Sequence, residues 1–151
     1  MSVAPLASRF LMTMEGDIAA PIPAAPNLLV FDVLAATLEG PRIRGKVRTP
    51  SGDWIRVQPN GNWRLDVRLT IETHDAEIVY CQYTGLLRMD PGLRERIERG
   101  ESIDGSEMYF RSTPYFETAS RAYAWMNDIV CVGRMRAFGA GRAQYDVFEL
   151  L

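Results

Sequence analysis

The stretch GDWIRVQPNGNWRLDVRLTIET, residues 52–73, alternates polar and apolar side chains on both sides of an Asn-Gly pair. A period of two sends successive side chains to opposite faces of an extended strand, so the pattern excludes an amphipathic helix and demands a sheet with two distinct faces. Asn60-Gly61 suits a tight hairpin, since both residue types tolerate positive φ. The same alternation recurs through most of the chain, and strands are expected near residues 8–14, 28–37, 41–49, 53–58, 63–72, 77–87, 107–112, 121–136 and 143–150. The run over 121–136 reads as two strands or one bent one. EGPR at 39–42 and FGAGR at 138–142 mark further hairpins, and the prolines of PIPAAP at 21–26 predict an irregular loop because proline donates no ladder hydrogen bond.

One segment breaks the period. DPGLRERIERG offers Asp90 as an N-cap, Pro91 at the first helical position and Gly100 at the stop, which predicts one short helix near residues 91–99 with Leu93 and Ile97 on one face. Short antiparallel strands, hairpin turns and a single small helix point to an all-β fold. A single antiparallel β-barrel of about 8–10 strands is favoured over a sandwich, because closure removes the exposed edges that invite aggregation. A length of 151 residues fits one domain spanning residues 1–151.

Charge and residue counts exclude several functions. With 17 basic and 19 acidic side chains the formal charge is −2, so nothing draws in nucleic acid or an anionic bilayer. No stretch reaches the roughly 18 consecutive apolar residues of a membrane helix, and the opening MSVAPLASRFLM lacks the basic start of a signal peptide, so a cytoplasmic chain is expected. The only histidine, His74, sits in the turn-like ETHDAE, which leaves a serine or cysteine hydrolase without its base. Cys81 and Cys131 are far apart in apolar runs, and neither HExxH nor paired-cysteine spacing occurs, so no metal is expected. Gly133, Gly139 and Gly141 do not open a helix after a strand, so no nucleotide cofactor is expected either.

The candidate site begins with the polar row of residues 65–72, where Asp66 and Arg68 stand opposite in phase to Leu65, Val67 and Leu69. That row is either the wet outside of a sheet or the lining of a cavity. A second candidate lies in YFRSTPYFETASRAYAWMND, where Tyr109 and Arg111 share a side and Tyr123, Trp125 and Asn127 share a face if the segment is a strand. Flat rings with polar tips orient a small ring-shaped ligand, although core aromatics with Asn127 bonded to nearby backbone would leave the same pattern. Glu117 stands between Phe116 and Thr118; buried, its pKa would rise toward neutrality, and exposed it carries no meaning.

GPRIRGKV, GDWIRV, LDVRLTIET, YFRSTPYFET and YAWMNDIVCVG, in that order, resemble the family called domain of unknown function 3237, an uncharacterised protein family of bacteria and fungi. The resemblance covers the chain from about Phe10 to Leu151 and departs from the family pattern at THDAEI, which lacks a turn glycine, and at Asn60, where Asp is more usual. It implies a single-domain antiparallel barrel and a role on small organic molecules, some relatives being associated with aromatic polyketide pathways as cyclase-like or isomerase-like proteins. Because its motif residues Asp53, Trp54, Asp66, Arg68, Arg111, Glu117, Trp125 and Asn127 are polar or aromatic, the resemblance favours the cavity reading.

Together these point to a cofactor-independent isomerase or cyclase acting by proton transfer on a hydrophobic, oxygenated small molecule. Asp66 or Glu117 would move the proton, Arg68 and Arg111 would stabilise enolate charge, and Asp53, Trp54, Tyr109, Tyr123, Trp125 and Asn127 would bind the ligand. The alternatives are a carrier that returns an apolar ligand unchanged, and a homodimer packed through the alternating outer face.

Overall fold

In the computed structural model, which describes residues 1–151, the alternating runs become eleven strands. They are β1 (Ser8–Ile18), β2 (Ile22–Ala25), β3 (Leu28–Glu39), β4 (Arg44–Val57), β5 (Trp63–Thr73), β6 (Ile78–Leu87), β7 (Ser102–Asp104), β8 (Phe110–Ser112), β9 (Tyr115–Glu117), β10 (Cys131–Gly139) and β11 (Arg142–Leu150). Neighbours run β1-β11-β10-β8-β6-β5-β4-β3, all antiparallel, and a β1–β3 pairing closes the circle into an eight-stranded barrel. The extra strands hang outside that circle, β2 on β3, β7 on β10 and β9 on β6.

Turn chemistry sets the corners. The β4–β5 connection closes with the Gly61 N–H donating to Gln58 O at 2.8 Å, and Gly61 alone takes positive φ (88°). Pro59 and Asn60 therefore occupy the central turn positions and the glycine follows them, a longer loop than the expected two-residue turn. The β10–β11 turn is left-handed at three consecutive positions, Gly139, Ala140 and Gly141. PIPAAP corrects an expectation: residues 22–25 form β2, because an edge strand outside the barrel can leave a proline nitrogen unpaired.

The helix α1 (Pro91–Glu98) forms where its caps place it. Asp90 accepts from the Leu93 N–H at 2.7 Å, and Gly100 follows with φ 81°. Leu93 is buried and Ile97 packs against the core. The strand expected over 121–136 begins only at Cys131, because Ala124–Asp128 wind into a 3-10 turn that buries Met126.

One half of the barrel interior is solid. Met12, Ile71, Val79, Cys81, Cys131 and Val147 are fully shielded there, around Leu38, Ile43 and Phe116. Glu149 closes that end, 2.8 Å from Arg9 and 3.6 Å from Arg42, while the Arg42 guanidinium lies 3.6 Å from the centre of the Trp125 ring. No helix is long and apolar enough to cross a membrane.

Candidate functional site

The other half of the barrel is hollow. Where β4, β6, β10 and β1 end and β5, β11 and β3 begin, small residues at Gly16, Ala36 and Ala143 leave about 820 Å³ of atom-free space, counting its open mouth. Its wall is aromatic and aliphatic: Trp63 stands between Phe31 (6.3 Å) and Phe138 (6.4 Å, edge-on), and Phe110 meets Tyr145 at 6.2 Å. The inward row of β5 is Trp63, Leu65, Val67 and Leu69, so the apolar phase of that strand is the cavity wall.

Below the carboxylates of the mouth, three polar side chains face this wall. Tyr83 on β6 and Tyr145 on β11 are buried, and their hydroxyls meet at 2.8 Å. Burial holds both hydroxyls well above their usual pKa, and the nearby Asp53 charge adds to the effect, so both remain protonated. Two hydroxyls bring two protons, one of which closes the pair and the other of which is free for a ligand oxygen. Asp53 on β4 lies opposite Phe31 on β3 and Val67 on β5. The register slips between Asp32 and Ala36 and again between Arg48 and Gly52, and Asp53 follows these irregularities directly. Bulges of this kind re-aim side chains. Its Oδ1 is shielded from solvent and has no hydrogen-bond partner. Burial pushes the carboxyl up from 3.8 to about 7, the Asp66 backbone N–H pulling the other way and the Asp66 carboxylate adding to the rise. No three His, Cys, Asp or Glu side chains converge as a metal site.

Of the residues expected from the sequence, only Asp53 lines the cavity. Asp66 and Arg68 face outward, 43% and 49% exposed, in an ion pair of 3.6 Å, with Arg68 5.8 Å from the Trp54 ring on the same outer surface. This corrects the inward orientation: an apolar hollow takes the aliphatic phase of β5 and leaves the polar phase to solvent. Glu117 is exposed on β9 opposite Tyr80, outside the barrel and away from the cavity. Arg111 and Tyr109 are also outside. The Arg111 guanidinium donates to Phe110 O at 2.7 Å and lies 4.9 Å from the Tyr109 ring, with Arg88 4.0 Å from that ring. The 3-10 turn separates the proposed face of Tyr123, Trp125 and Asn127. Tyr123 is buried and donates to Asp75 at 2.7 Å; Trp125 supports Arg42 at the solid end; Asn127 accepts from the Thr118 N–H and donates to Thr118 O.

Tyr83 and Tyr145 escaped the sequence reading, although a signal existed. Each stands in phase with core aliphatics, Val79 and Cys81 on β6 and Val147 on β11, and a hydroxyl in such a row needs a partner or a ligand.

Residues 6–150 match the family described as protein of unknown function (DUF3237). The chain belongs to that family. Among curated relatives it is 30% identical over 122 residues to a UPF0311 protein of Rhodopseudomonas palustris, covering 81% of this chain and 79% of the relative. It is 29% identical over 109 residues to a UPF0311 protein of Clostridium acetobutylicum, covering 70% and 69%. Among solved structures, a conserved protein of unknown function from Rhodopseudomonas palustris superposes with TM-score 0.87 at 25% identity, covering 99% of this chain and 100% of that one. A beta-barrel like protein from Acinetobacter baumannii gives TM-score 0.77 at 23% identity over 99% of both chains. An enzyme from Penicillium herquei shares the fold at TM-score 0.70 and 14% identity, covering 100% and 98%.

Proposed function

We propose that this family member binds a hydrophobic, oxygenated small molecule of polyketide-like character in the hollow half of its barrel and moves a proton on it without a cofactor, as an isomerase or cyclase. The observation that carries this is one carboxyl, Asp53, set in an apolar cavity with a pKa pushed up to about 7 beside a buried tyrosine pair. A base poised near neutrality takes a proton at physiological pH and returns it with little mismatch. The free proton of the Tyr83–Tyr145 pair is the donor for the oxyanion that forms as the base acts. Arg68 and Arg111 do not line the cavity: Arg68 is paired with Asp66 on the outer surface and Arg111 with the Phe110 carbonyl. The likeness to a Penicillium herquei protein described as an enzyme supports a barrel of this shape hosting catalysis.

Ligand retained through purification, identified by native mass spectrometry and re-added in heavy water, tests the reading. Proton transfer places solvent deuterium in the recovered molecule. Asp53→Asn is expected to lower the exchange rate by about 100-fold or more, and Tyr83→Phe with Tyr145→Phe by about 10-fold or more. Ligand recovered intact and undeuterated makes the barrel a carrier; full exchange in Asp53→Asn removes the base.

A further inference from the structure

The cavity is one-sided in charge and rich in rings. Six aromatic side chains line it, Phe31, Trp63, Tyr83, Phe110, Phe138 and Tyr145, yet its lining includes no Lys, Arg or His. The charged groups that line it are all carboxylates: Glu15, Asp17 and Asp32 near the mouth and Asp53 within. Arg142, beside the lip, is bound to Glu15 and stands 3.9 Å from Asp17, so its charge is committed to the rim. Asp53 has no such partner, and its Oδ1 has no hydrogen bond. A carboxylate in a low-dielectric wall repels any anion brought against it. Ring faces carry negative quadrupoles and attract a cation placed over them.

We propose that the cavity selects an organic ammonium ion: a protonated amine whose aromatic or hydrocarbon body fills the apolar wall while its nitrogen seats between Asp53 and the surrounding rings. The orphaned Oδ1 then gains its missing donor, and the charge of Asp53 gains its only counter-ion. This rests on the reading above that the cavity is the ligand site, but not on proton transfer within it.

Three probes of one shape separate the possibilities by calorimetry: phenethylamine, phenethyl alcohol and phenylacetate. The amine is expected to bind at least tenfold more tightly than the alcohol, with phenylacetate the weakest. In Asp53→Asn the amine should lose that advantage while the alcohol still binds, which also shows that the variant has kept its pocket. Equal binding of amine and alcohol, or phenylacetate binding as well as the amine, overturns ammonium selection and leaves the cavity reading standing. An unchanged amine-to-alcohol ratio in Asp53→Asn overturns it as well. Failure of all three to bind at millimolar concentration removes the cavity reading and this inference with it. The wild-type ranking decides the question even where the variant does not fold.

Discussion

Asp53 is where the chain departs most from what stability alone would select. Its carboxyl rises from 3.8 to about 7 through burial, so between those values the folded state holds a proton that the unfolded chain has released. Stability therefore falls as pH rises through that window and levels off above it, by roughly 4 kcal/mol at most for a shift of about three units. Asp53→Asn keeps the shape and removes the titration. Urea unfolding should find the two proteins alike near pH 4 and the Asn variant more stable by roughly 2–4 kcal/mol near pH 8; parallel stabilities across that range would mean that the carboxyl is well solvated. The sequence places Asp53 among the ligand-binding residues but points the proton transfer to Asp66 or Glu117, and for Asp66 the reason is physical. Alternation tells which residues of β5 share a face, while the face that turns inward depends on whether the hollow is lined with hydrocarbon, which only the closed barrel decides.

Elements defined by local chemistry were legible, and those defined by distant packing were not. Asp90, Pro91 and Gly100 place α1 because caps act within one turn. The residues from 121 to 128 alternate like a strand, yet Met126 anchors a 3-10 turn in the core, a burial that no local pattern carries. β7 was likewise invisible as a separate strand, since its three residues depend on β10, and the β10–β11 turn shows how tightly they are joined. Gly139 has φ 123° and lies opposite Ser102, and a Cβ there would run into the Glu101 carbonyl oxygen. Gly141 in the same turn has φ 75° with open space around it. Gly141→Ala should accordingly cost about 1 kcal/mol, the ordinary penalty of a left-handed alanine. Gly139→Ala should cost at least about 3 kcal/mol and free β7 from β10, because backbone strain and a backbone collision add. Denaturant unfolding gives the energies, and amide exchange at Ile103 reports β7; equal costs at the two glycines would show that the strand is not pinned there.

On the scale of the whole barrel, one continuous wall encloses two different interiors. The strand ends around Val147, Cys131 and Ile71 are filled, while those around Ala143, Gly16 and Leu65 are open, although β11 carries Val147 and Ala143 on the same inward face only four residues apart. Close packing cannot absorb extra methylenes without off-rotamer side chains or backbone shifts, whereas a hollow accepts them and gains contact. Val147→Phe should therefore destabilise the protein by roughly 1–3 kcal/mol or more. Ala143→Leu should change stability by less than about 1 kcal/mol in either direction, since it adds apolar volume to empty space. The same Ala143→Leu change should abolish binding of any small molecule that the wild type retains, because the added side chain occupies the space the ligand needs. Urea unfolding and native mass spectrometry of both variants measure these effects together. A loss of stability at residue 143 as large as at residue 147 would mean that the barrel is packed along its whole length, and no ligand site would then remain inside it.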